Sequence, residues 1–141
     1  MRSFQLLFCF VSAIIFIHLG GQVITAQPTS REEYYCEGVY IDSSQYKRNL
    51  DLLLSSLPSE VTVGKSFYNK SIGEVPDRVY GILLCRGDVT NDACKVCAES
   101  ATAEAPKVCP DKKEFISWYE HCMIRYSHRY IFSVMEINVG V

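Results

Sequence analysis

Cysteine constrains this chain more than any other residue, with seven in 141 positions. Cys36, Cys85, Cys94, Cys97, Cys109 and Cys122 are spread through the body of the sequence, while Cys9 sits alone in an apolar N-terminal run. Their chemistry depends on what becomes of that run. Arg2 supplies a positive start, Phe4 to Leu19 is apolar but for Gln5, Ser12 and His18, and Gly20-Gly21-Gln22 leads into Ile24-Thr25-Ala26. Alanine before the break and an uncharged residue two places earlier suit signal peptidase, so residues 1–26 read as a cleaved signal peptide. The run is shorter than the roughly 20 residues of a bilayer-spanning helix, and no second run of that length follows. Cleavage removes Cys9 and leaves an even six. In a secreted chain this predicts three disulfides, although counting alone does not select their connectivity.

The remainder reads as one domain. Residues 27–34 look like a loose lead-in. After the cap candidates Ser43 and Ser44, Tyr46, Leu50, Leu53, Leu54 and Leu57 share one helical face, and Pro58 stops the pattern. Residues 61–72 form a broken strand-like stretch. Val79 to Cys85 is aliphatic on both parities, as in a strand covered on both sides or central in a sheet. Asp88, Thr90, Asn91 and Asp92 offer caps for a second helix with Cys94, Cys97, Ala98, Ala101 and Ala105 along one stripe, ending at Pro106. Residues 114–124 and 130–137 read as the last two strands, with Ser127-His128-Arg129 as their turn. Helix, strands, helix, strands without regular alternation predicts an α+β fold on an antiparallel sheet.

The spacing C-x8-C-x2-C from Cys85 to Cys97 admits three chemistries. A zinc site would draw on Cys94, Cys97, Cys109 and the His121-Cys122 pair. A redox motif would use Cys94 and Cys97 but lacks the βαβ setting such motifs need. Structural disulfides fit an oxidising compartment best. No cofactor is expected. The formal charge of −2 argues against nucleic acid. Without Arg2 there remain 13 basic residues (14 less one) against 16 acidic, which argues against cationic attack on membranes. His121 and His128 lack a partnered nucleophile, so no enzyme is expected. Arg86-Gly87-Asp88 lies inside a cysteine loop and reads as turn chemistry. Asn69-Lys70-Ser71 is a glycosylation sequon. Trp118, Tyr119 and Tyr126 are candidates for a binding face, with core packing the commoner role for strand aromatics.

Six cysteines in this order resemble the ginkbilobin-homologous cysteine-rich domain of land plants, also called the stress-antifungal domain or domain of unknown function 26. Tyr80-Gly81 before the first motif cysteine and Arg125-Tyr126 after the last resemble it too, as does C-x11-C-x12-C from Cys97 to Cys122. The resemblance implies two helices on an antiparallel sheet of about five strands, with Cys36–Cys109, Cys85–Cys94 and Cys97–Cys122 paired. It places the domain at residues 35–137 and a tail at 138–141. The family's antifungal seed lectins hold mannose through an Asn, an Arg and a Glu at places aligned with Glu37, Ile116 and Ser127, none of which matches. The expectation is a secreted, non-enzymatic interaction module of the plant apoplast in defence or stress responses, resembling the single-domain cysteine-rich repeat secretory proteins. It would bind an extracellular protein or a cell-wall glycan, with no membrane anchor. The alternative is a directly antifungal, mannose-type lectin.

Overall fold

The computed structural model describes residues 31–42 and 44–133, with the side chain of residue 32 excepted. The signal segment, residues 134–137 and the tail lie outside them. Five strands and two helices follow in the order β1 (Arg31–Glu37), α1 (Gln45–Ser56), β2 (Phe67–Ile72), β3 (Val79–Cys85), α2 (Asn91–Val108), β4 (Glu114–Tyr119) and β5 (Cys122–Ser127), with a 3-10 turn at Leu57–Glu60 after α1. All neighbouring strands are antiparallel, in the order β1-β4-β5-β3-β2.

Each helix begins where a hydroxyl satisfies a free backbone donor. Ser44 Oγ accepts from the Lys47 amide at 3.2 Å, and Thr90 Oγ1 accepts from the Ala93 amide at 3.2 Å. Tyr46, Leu50, Leu53 and Leu54 turn the apolar face of α1 into the core. On α2 the buried residues Ala98, Ala101 and Ala105 allow close approach to the sheet. This helix runs past Pro106 to Val108, because a proline near the end of a helix removes one hydrogen bond without ending it.

Helix α1 rests on β3 at a glycine. A Cβ on Gly81 would lie 2.8 Å from Leu53 Cδ2 and 3.0 Å from Leu53 Cδ1, in the packed centre of the core. Gly81→Ala is therefore expected to lower stability by about 1–3 kcal/mol through overpacking. Urea unfolding measures it, and a variant as stable as the parent would show that Leu53 gives way freely.

Three disulfides fix α2 to the sheet. Cys36–Cys109 ties β1 to the residue capping the helix, Cys85–Cys94 ties the end of β3 to its second turn, and Cys97–Cys122 ties its middle to the start of β5. The Cα separations are 6.0, 5.7 and 6.1 Å, within the usual span of a disulfide. This is the pairing that the resemblance implies. Tyr46 Oη adds a bond to the Lys113 carbonyl at 2.6 Å, linking α1 to the approach to β4.

Besides the end of α2, two expectations about strands are corrected. The stretch read as a loose lead-in contains the start of β1, a strand from Arg31. It is polar because it is an edge strand, and its hold is non-local: Ser117 Oγ donates to the Glu33 carbonyl at 2.8 Å and Arg31 reaches Glu104 on α2 at 2.9 Å. The last two strands are β4 and β5, split by a turn at Glu120 and His121, while residues 130–133 are not a strand. Ser127 ends β5 instead of opening a turn. The tight turn carries none of the glycine, proline or asparagine that usually marks one, so the aromatic run reads straight through it.

Candidate functional site

A strand presents alternate side chains to opposite faces of its sheet, so a sheet covered by helices on one side has a second side to account for. Gly81 faces Leu53 of α1, and Leu83, Phe115, Ile124 and Tyr126 join the same buried cluster. Their neighbours in sequence form the outer face. One row across the five strands is Glu33, Trp118, Met123, Leu84 and Phe67. The next is Tyr35, Ile116, Arg125, Ile82 and Asn69. Tyr80 follows on β3, its ring edge-on to Tyr130 and Phe132 at 5.5 Å each.

Among the described residues, the row of Trp118, Met123, Leu84 and Phe67 is apolar and partly open, whereas Ile82, Glu114 and Ser127 on the same face are buried. Phe67 is 50% exposed, Tyr35 45% and Leu84 41%, with Ile116, Trp118 and Met123 half-buried between them. Val79 to Cys85 reads in sequence as a strand covered on both sides or central in a sheet; it is central, and among the described residues the helices cover only one of its faces. Of the aromatic candidates, Tyr119 and Tyr126 are core residues, whereas Trp118 belongs to the outer face. Tyr119 donates to Glu104 Oε2 at 2.9 Å, and burial together with that carboxylate pushes its hydroxyl up to about 12.

Glu37, Ile116 and Ser127 come from three neighbouring strands at one corner of this face, with Glu37 opposite Glu114 and Ile116 opposite Arg125. Glu37 Oε2 accepts from Tyr35 Oη at 3.2 Å. Ile116 offers no hydrogen bond. Ser127 is fully buried, and its Oγ accepts from the Arg129 amide at 2.9 Å. The corner is closed by charge: Arg129 donates to both oxygens of Glu114 at 2.7 Å, and His128 Nδ1 lies 3.3 Å from Glu114 Oε1.

Burial alone would raise the Glu114 carboxyl, but the Arg129 hydrogen bonds and charge, with His128 and Ser127 beside it, hold it below its ordinary value. A lowered carboxyl contributes stability above its unfolded pKa and loses it as pH falls through the folded one. Glu114→Gln should therefore cost about 1.5–3 kcal/mol near neutrality, the range for hydrogen bonds to charged groups. The difference from the parent should shrink as acid protonates Glu114. Paired denaturation curves from neutral pH into the carboxylate range check this, and a gap that widens in acid would contradict it.

The remaining sequence candidates are separate from this corner. His121 lies in the β4–β5 turn, 3.7 Å from Glu120 Oε1. Arg86 pairs with Asp88 at 2.6 Å and donates to the Glu120 carbonyl, so the tripeptide is folded back on itself. The four cysteines of the zinc and redox readings, Cys94, Cys97, Cys109 and Cys122, are all in disulfides. An open cleft of about 300 Å³ beside the Cys85–Cys94 bridge is lined by Lys65, Ser66, Arg86 and Asn91, among others. Asn69 is exposed on β2, an edge strand. Sequence reasoning passed over Tyr35, Phe67, Tyr80 and Leu84, whose signal was apolar side chains at alternate positions of strands already explained by a core.

Comparison with known proteins places this architecture. The family model for salt stress response/antifungal proteins matches residues 35–129. Cysteine-rich repeat secretory protein 1 of Arabidopsis thaliana is 43% identical over 117 residues, 82% of this chain and 34% of the relative. Cysteine-rich receptor-like protein kinase 6 of the same plant is 38% identical over 119 residues, 82% of this chain and 18% of the kinase. The chain thus spans about a third of the length of the first of these relatives and under a fifth of the second. The crystal structure of the tandem DUF26 ectodomain of an Arabidopsis thaliana cysteine-rich receptor-like protein superposes with a TM-score of 0.67 at 30% identity, covering 72% of this chain and 51% of the other. With its six bridged cysteines, two helices and five-stranded sheet, the chain belongs to the salt stress response/antifungal family of cysteine-rich domains.

Proposed function

We propose that the protein is a secreted, non-enzymatic interaction module of the plant apoplast, acting in defence or stress responses by docking an extracellular protein on the outer face of its sheet. The observation that carries this reading is the open row of Phe67, Leu84, Met123 and Trp118 on that face. Contiguous exposed apolar surface of this kind marks interaction sites on folded proteins, and aromatic residues are enriched at the centres of protein interfaces. Relatives named as a secretory protein and as receptor-like kinases support an extracellular setting. The family's antifungal description is compatible with a second reading, a directly antifungal, mannose-type lectin. The corner formed by Glu37, Ile116 and Ser127 weakens it, since sugar recognition needs polar groups placed to orient the ligand.

Capture from apoplastic fluid on immobilised, oxidised protein separates the two. A protease-sensitive ligand is expected on the parent and not on Leu84→Glu, while Leu52→Glu on the exposed side of α1 retains it. Retention that is eluted by mannosides and indifferent to Leu84→Glu would favour the lectin.

A further inference from the structure

We infer that Asn69 is an N-glycosylation site whose oligosaccharide stands at the β2 edge of the outer face. The inference rests on the secreted reading above, because the transferring enzyme works in the secretory pathway. Asn69-Lys70-Ser71 satisfies the acceptor pattern. A pattern alone is weak, but its placement in the fold is informative. Asn69 and Ser71 are both exposed and lie on the same side of β2, since residues two apart in a strand share a face. Lys70 between them turns the other way and holds Glu60 Oε1 at 2.5 Å. Both the acceptor and the hydroxyl residue are exposed, so neither is needed by the core.

The position also suits a glycan physically. Among the described residues β2 is an outermost strand of the sheet, with β3 as its one neighbour. An unpaired strand edge invites pairing with another chain, and folded proteins blunt such edges with bulk or charge. A hydrated oligosaccharide on Asn69 supplies the bulk. Asn69 stands opposite Ile82, in the row beside that of Phe67, Leu84, Met123 and Trp118, so the glycan borders the proposed docking row at its β2 end. In the transfer, Asn69 Nδ2 forms a bond to C1 of the oligosaccharide on a polyprenyl diphosphate donor. The C1–oxygen bond to the diphosphate breaks, the lipid diphosphate leaves, and the amide loses one proton.

The test expresses the full chain in plant cells and analyses medium and cell extract separately. Peptide N-glycosidase active on plant glycans converts a linked asparagine to aspartate, which peptide mass spectrometry reads at position 69. Most of the secreted chain is expected to carry the conversion. Asn69→Gln and Ser71→Ala should each abolish it, and Ser71→Thr should retain it. Secreted chain with residue 69 mostly unmodified overturns the site and leaves the secreted reading standing. Modified chain held only inside cells supports the site and overturns that reading. Unmodified chain confined to cells overturns both.

Discussion

Removing the Cys36–Cys109 bridge as a Cys36→Ala/Cys109→Ala pair is expected to lower stability by about 4.5 kcal/mol. The bridge closes a separation of 73 residues, the longest of the three, and the entropy withheld from the unfolded chain grows with the loop. It is also the covalent hold on β1, an edge strand whose other ties are its ladder to β4 and a few side-chain bonds. Against a net stability of roughly 5–15 kcal/mol for a domain, the loss leaves a marginal fold. The Cys85–Cys94 bridge spans 9 residues, so the equivalent double alanine variant should cost less, about 2.7 kcal/mol. Denaturant unfolding of both variants under oxidising conditions gives the comparison. Equal losses, or a larger loss from the short loop, would mean that native-state packing and not chain entropy decides the contribution.

Free mannose should bind at least about a hundredfold more weakly than it binds the family's lectins, a difference of roughly 3 kcal/mol. Each hydrogen bond typically contributes about 0.5–1.5 kcal/mol, more where one partner is charged. Here Ile116 has none to give, and Ser127 is sealed beneath the Arg129 amide. Glu37 keeps a carboxylate at the corner, with Tyr35 Oη donating to it, so the site retains polarity without the full set. Calorimetric titration of oxidised protein with mannose measures this. Saturable binding as tight as the lectins' would show that other groups on the face replace the three positions.

Local signals made α1 legible: a 3.6-residue apolar stripe, Ser44 before it and Pro58 after it. The same holds for α2, whose Thr90 cap and alanine stripe both lie within one short stretch. β1 was not legible, because a strand of Arg, Glu and Tyr at a sheet edge has no period-two apolar pattern and depends on partners far along the chain. The β4–β5 boundary was hidden for a different reason. Cys122 is pinned to Cys97 and Glu114 to Arg129, so tertiary contacts set a turn that Glu120 and His121 do not announce. The candidate face was half visible. The apolar pattern of Val79 to Cys85 marks a strand central in the sheet, as its place between β5 and β2 shows, but which of its faces the helices leave bare is set by the sheet order.

The claim that the outer face docks an extracellular protein is tested most directly by site-specific photo-crosslinking. A photoreactive amino acid replaces Phe67 on β2 or, as the control, Leu52 on α1; both side chains are exposed, and they lie on opposite sides of the molecule's two layers. Each full-length, oxidised protein is irradiated in apoplastic fluid and its adducts are identified by mass spectrometry. The account predicts one reproducible protein adduct from position 67 that Leu84→Glu suppresses, and none of that identity from position 52. The same adduct from position 52, or from position 67 regardless of Leu84→Glu, would contradict it.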